Sequence, residues 1–153
     1  MELFRLSHTD YVDLSGRGGL YGAGRWHEKG SLICYTASSR SLCVLERLVH
    51  ESMADMPSLM MMTIWIPDDV SVLRRSVQQL PAGWDAMPEN GTARAVGQAF
   101  LEENQALLLQ VPSVIVRDEF NYMINPQHPD SGKIQIVETS PYYYDSRLQT
   151  MMR

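Results

Sequence analysis

The chain has 153 residues, enough for one domain whose core needs neither a metal nor a disulfide to hold it. Its 44% hydrophobic content argues against disorder, and thirteen Lys/Arg against eighteen Asp/Glu give a formal charge of −5. No Lys/Arg cluster resembles a nucleic-acid footprint, no apolar run approaches the roughly 20 residues of a membrane span, and the N-terminus lacks the regions of a signal peptide, so a soluble cytoplasmic protein that touches neither nucleic acid nor membrane is expected.

Residues 1–6 read as a short first strand. Residues 14–24 hold five glycines, a loop whose backbone can come close to a ligand. It lacks the strand-then-helix context of a dinucleotide turn and has no P-loop lysine, so both phosphate motifs are rejected. Ser31 to Thr36 reads as a strand, followed by a helix with Ser38 or Ser39 as N-cap. Leu42, Leu45, Val49 and Met53 form its apolar stripe, with Arg40, Arg47 and Glu51 opposite. Leu59 to Ile66 is almost continuously apolar and stops at Pro67-Asp68-Asp69, which suits a strand buried on both faces, with Met60-Met61-Met62 as core filling. Residues 80–84 and 87–91 are loop. Thr92 to Leu108 carries Ala93, Val96, Phe100 and Leu107 at helical spacing. Val111 to Arg117 and Ile134 to Glu138 read as strands, with a turn or loop at 125–129 between them. About five strands and two main helices make an α+β pattern in one domain, 1–153.

Glu46 falls inside the apolar stripe of the first helix, flanked by Leu42 and Val49. A carboxylate aimed at a core is costly unless it is paired, hydrogen-bonded or protonated. Periodicity alone favours the blander alternative, an acid at the rim of the stripe that reaches water. Arg25 follows the glycine-rich loop, and its planar fork suits a phosphate; a surface arginine with Trp26 serving as core is the alternative. Tyr35 offers a ring for stacking on a heterocycle or simply for packing. Ser113 is a lone hydroxyl in an apolar stretch, in need of a partner if it points inward; no Gly-x-Ser-x-Gly elbow surrounds it. His8, His27, His50 and His128 make no ligand spacing and there is no Cys-x-x-Cys, so no metal site is expected. Asn121 and His128 either contact a ligand or lock their loop, the second being the better reading of His128. Cys34 and Cys43 read as reduced core residues, with a disulfide as the alternative.

Several short segments follow one another in an order that resembles the RES-domain family, toxins of RES–Xre toxin–antitoxin modules. They are Phe4-Arg5-Leu6, Leu20-Tyr21-Gly22-Ala23-Gly24-Arg25-Trp26, Tyr35-Thr36, Leu45-Glu46-Arg47-Leu48-Val49-His50 and Ile66-Pro67-Asp68-Asp69. Leu80-Pro81-Ala82-Gly83-Trp84, Val111-Pro112-Ser113-Val114, Phe120-Asn121-Tyr122 and Asn125-Pro126-Gln127-His128-Pro129 complete them. No single piece is specific; the ordered set is. The Arg, Glu and Ser of the family's name look like Arg25, Glu46 and Ser113.

The resemblance implies a compact fold related to ADP-ribosyltransferases, NAD as substrate with no cofactor, and cleavage of NAD by hydrolysis or phosphorolysis. Transfer of ADP-ribose to a protein is the alternative activity, and a catalytically silent antitoxin-binding module the alternative class. The implied partner is an Xre-type antitoxin that binds DNA and covers the active site in a hetero-oligomer. Catalytic roles fall to Arg25, Tyr35, Glu46 and Ser113. Glu46 would stabilise an oxocarbenium-like sugar, Arg25 hold the pyrophosphate, Tyr35 stack on or position nicotinamide, and Ser113 contact ligand or orient Glu46. Arg5, Trp26 and Asn121 join the substrate-binding set. No metal is required, because nicotinamide leaves as a neutral amine. The chain departs from the family at His27, where many relatives carry Asn, and in the extra Ala23 before Arg25.

Overall fold

The computed structural model describes residues 1–152. Its strands are β1 (Glu2–His8), β2 (Cys34–Ala37), β3 (Leu59–Trp65), β4 (Val72–Arg74), β5 (Leu108–Pro112), β6 (Phe120–Ile124) and β7 (Gln135–Tyr142). The helices are α1 (Arg40–Leu48), α2 (Thr92–Glu103) and a short α3 (Ser146–Gln149). The strands form one sheet in the order β4-β5-β6-β2-β1-β3-β7, antiparallel except for the β4–β5 pair.

Strand alternation sorts the side chains into two faces. Leu3, Cys34, Met62, Ile64, Leu108, Tyr122 and Ile124 share one cluster, covered by connecting segments through Val12, Leu14, Val70 and Ile134. On the other face α1 packs Leu42 and Cys43 over Phe4, Leu6, Ala37 and Met61. Beside it α2 packs Ala93 and Phe100 over Leu109, Val111 and Met123. The two helices therefore cover adjacent halves of the same face, and the seam between them runs over β2 and β6.

Ser39, one of the two serines expected, caps α1 by accepting the Leu42 N–H at 3.1 Å. The stripe expected beyond it fails: Val49 and Met53 are 60% and 52% exposed. The helix ends at Leu48, so a 100° periodicity carried past that point no longer describes the chain. β3 agrees with the reading of a strand buried on both faces. α2 stops at Glu103 because Asn104 takes a left-handed conformation (φ 51°), so Leu107 leaves the predicted helix and enters the sheet's core. β5 starts earlier than expected and stops at Pro112; Ser113 to Val116 form a turn rather than a strand. β4 and β6 are strands that the sequence pattern missed, and β7 runs on to Tyr142. β7 is an edge strand with mostly exposed residues, so no apolar pattern announces its length.

Both cysteines are free and buried, in clusters on opposite faces of the sheet, which excludes the disulfide alternative. Burial pushes the Cys43 thiol up to about 12. No helix among the described residues is long and apolar enough to cross a membrane.

Candidate active site

Glu46 lies on α1, one turn after the buried Leu42, and is half-buried where the helix borders the seam. Its Oε1 accepts two hydrogen bonds, from the Ser113 hydroxyl at 2.7 Å and the Asn121 side-chain amide at 2.6 Å. Neither sequence alternative holds in full: Glu46 is neither sunk in the core nor a free rim acid. Ser113 has no solvent exposure. Its oxygen accepts the backbone N–H groups of Ile115 and Val116, both at 3.0 Å, while its proton goes to Glu46. That hydroxyl is saturated by these three bonds, and the one it donates holds Oε1 of Glu46. Pro112 ends β5, and a Ser113 N–H bond to the Glu119 carbonyl at 2.9 Å closes the turn that returns the chain as β6. Asn121 sits on β6 opposite Val111 and Ala37, on the helix-bearing face.

Tyr35 lies on that same face, opposite Met123 and diagonal to Asn121. Its hydroxyl is committed: it accepts the Trp26 backbone N–H at 3.1 Å and meets His27 Nδ1 at 2.7 Å. These bonds tie β2 to the turn Gly24-Arg25-Trp26-His27, closed by a bridge between Gly24 and His27. A Cβ on Gly24 would stand 2.7 Å from the Tyr35 oxygen, so glycine is required for this approach. Burial raises the Tyr35 pKa, so the hydroxyl keeps its proton.

Arg25 projects from that turn. Its Nη1 donates to the Trp84 and Ala86 carbonyls at 2.9 and 3.2 Å, and its Nη2 to Met87 Sδ. Its Nε makes no hydrogen bond among the described residues. Asp85, in the same loop, pairs with Arg117 at 2.8 Å, on the turn that begins at Ser113. Loop 84–87 thus bridges the Arg25 turn to the Ser113 turn. Arg25 and Glu46 do not bond each other directly.

Two of the expected substrate-binding residues lie apart from Glu46 and Asn121. The Trp26 ring is 4% exposed and packs against Trp84 in the α2 cluster, which leaves it a core role. Arg5 alternates onto the face of Leu3 and Met62, away from Glu46 and Asn121; its Nη1 braces the Tyr35 carbonyl at 3.2 Å. His128 caps the 129–133 turn by accepting the Asp130 N–H, the loop-locking role. Sequence reasoning gave no role to His27, Asp85, Arg94 or Arg117. Only the place of His27 directly after Arg25-Trp26 was a signal. A groove of about 630 Å³ lies elsewhere, lined by Ser31, Gln98, Leu101 and Asn104 among others, and holds none of the site residues. No group of three or more His, Cys, Asp or Glu among the described residues could hold a metal ion.

A family model described as the RES domain matches residues 2–145. A protein called Toxin Res from Pseudomonas putida is 43% identical over 153 residues, covering 97% of this chain and 99% of that protein. A Sphingobium protein called the Prs ADP-ribosylating toxin is 40% identical over 139 residues, covering 89% of this chain and 86% of its own. Among solved structures, a chain of the M. tuberculosis MbcT–MbcA toxin–antitoxin complex superposes with a TM-score of 0.75. It is 19% identical and the match covers 99% of this chain and 88% of that one, a likeness of fold.

Proposed function

The chain belongs to the RES-domain family of toxins, and from that premise we propose that it is the toxin of a toxin–antitoxin module and consumes NAD by cleaving the nicotinamide–ribose bond. One observation carries the reading: two neutral donors converge on Oε1 of Glu46 and fix the carboxylate, while Oε2 takes no hydrogen bond from the described residues. A carboxylate so held costs little reorganisation when positive charge develops beside it. In the reaction the glycosidic electron pair leaves with nicotinamide, which departs neutral. The ribose carbon becomes oxocarbenium-like, facing Oε2, and an acceptor adds to it and sheds a proton. Arg25 offers its Nε–H side to the pyrophosphate while its other donors hold loop 84–87. Tyr35, on β2 and packed beside the α2 cluster, would position the nicotinamide with its ring. NAD is the substrate and no cofactor is invoked. The proposed partner is an Xre-type antitoxin that covers this site in the cytoplasm; the solved toxin–antitoxin complex of the same fold supports an antitoxin partner.

A second reading, ADP-ribosylation of a protein, draws support from the relative called an ADP-ribosylating toxin. The two share the site and differ in the acceptor. Purified protein incubated with NAD labelled in its adenosine half separates them. Free nicotinamide with soluble ADP-ribose, or its phosphate when phosphate is added, supports degradation. Label that stays with an added protein supports transfer, and intact NAD under all conditions refutes both.

A further inference from the structure

Resting on the NAD-cleaving reading, we propose that His27 is a positioning residue: its neutral imidazole clamps the Tyr35 hydroxyl and the Gly22 carbonyl at once, holding the Arg25 turn against β2, and protonation opens the clamp. His27 Nε2 lies 2.7 Å from the Gly22 oxygen. A carbonyl only accepts, so Nε2 carries the proton and Nδ1 of the neutral ring is an acceptor. The Tyr35 O–H donates to that Nδ1 at 2.7 Å, and its oxygen accepts the Trp26 N–H at 3.1 Å. Each proton of the clamp has one acceptor, and the Tyr35 hydroxyl both donates and accepts.

The surroundings are built for the ring. His27 is 5% exposed. A Cβ on Gly24 would stand 2.9 Å from Nδ1, and one on Gly19 would stand 3.3 Å from the ring's Cδ2. Arg94 reaches over from α2 to donate to the Gly24 carbonyl at 3.0 Å and pairs with Glu89 at 3.2 Å; Glu28 follows in the chain. Burial disfavours the imidazolium first of all. The Gly22 carbonyl favours it, the Arg94 charge opposes it, and Glu28 and Glu89 favour it; the net shift is downward. A proton on Nδ1 would turn that atom into a donor. Tyr35 would then have to accept from both Nδ1 and the Trp26 N–H, with its own proton left without a partner. The backbone on either side of Arg25 hangs on these bonds, so the turn that carries its guanidinium loosens from β2 when they break.

The test has two arms. Nitrogen NMR of the ligand-free protein should show His27 as the Nε2–H tautomer with a hydrogen-bonded Nδ1, and Tyr35→Phe should shift Nδ1 to an unbonded value. An Nδ1–H tautomer, or no change in Tyr35→Phe, overturns the clamp. In the second arm, kcat/KM for NAD is followed from about pH 5 to about pH 8. The wild type should lose activity on the acid side with the midpoint of the His27 NMR titration. His27→Asn, whose amide does not titrate, should run about tenfold slower but without that limb, and should retain more turnover than His27→Ala. A flat wild-type profile, a midpoint apart from the NMR value, or a limb that persists in His27→Asn overturns the proposal. No NAD turnover at any pH would defeat the functional reading, and the NMR arm would still decide the clamp.

Discussion

At Glu46 a charge and its scaffold can be separated by substitution. Glu46→Gln keeps the shape and leaves Oε1 able to accept from Ser113 and Asn121. It removes the charge, so NAD turnover should fall by about 10²–10³-fold, with the unfolding midpoint little changed. A folded variant with wild-type turnover would remove Glu46 from the chemistry. Ser113→Ala should behave differently. It strips a donor from Glu46 and the acceptor from two backbone N–H groups in a buried turn. The expected outcome is a stability loss of about 1–3 kcal/mol together with a lower kcat, read from denaturant unfolding and NAD kinetics on one preparation. Reduced stability at full kcat would confine Ser113 to closing the turn.

The elements that place the site depend on close backbone approaches. α2 comes against the Arg25-Trp26 turn at Gly97, where a Cβ would lie 1.8 Å from the Trp26 carbonyl oxygen. That atom is backbone and cannot rotate away. Gly97→Ala should push α2 outward, separate Arg94 from the Gly24 carbonyl and cost about 1–3 kcal/mol, although alanine favours helix elsewhere. An unchanged or raised unfolding midpoint would show that the packing has slack. β6 is the element whose absence from the sequence reading mattered most. It reads Phe-Asn-Tyr-Met-Ile, and Asn121 interrupts the apolar pattern at the position where the strand serves Glu46. A strand that carries a site residue loses the regularity by which strands are recognised.

Across the whole molecule the same buried histidine sets a pH dependence of stability. His27 has its folded pKa below the ordinary 6.5 because burial disfavours its charge. Below about pH 6.5 the unfolded chain binds a proton that the folded chain refuses, so stability falls with pH until the folded pKa is reached. Thermal unfolding of the wild type should therefore decline as the pH falls below about 6.5, and His27→Asn should lack that decline. A wild-type midpoint that stays level from about pH 7 to about pH 5 would contradict a buried neutral imidazole.

The α+β character, a serine cap at position 38 or 39, the doubly buried β3 and the glycine-rich approach to Arg25 are legible in the chain alone. Each of these is written in local spacing or in a single residue's conformational limits. The sequence also marked Glu46, because an acid beside Leu42 breaks a helical pattern. The partners of Glu46 are a matter of tertiary contact. Ser113 and Asn121 stand 67 and 75 residues away in the chain and reach it through the order β5-β6-β2-β1, a non-local pairing that leaves no periodic trace. Strand alternation puts Arg5 on the far face, packing against Trp84 and α2 buries Trp26, and the 24–27 turn brings His27 to the Tyr35 hydroxyl. Residue type shows which side chains are able to do chemistry; sheet register and helix packing decide which of them meet, because hydrogen bonds join groups that are close in space whatever their separation in sequence.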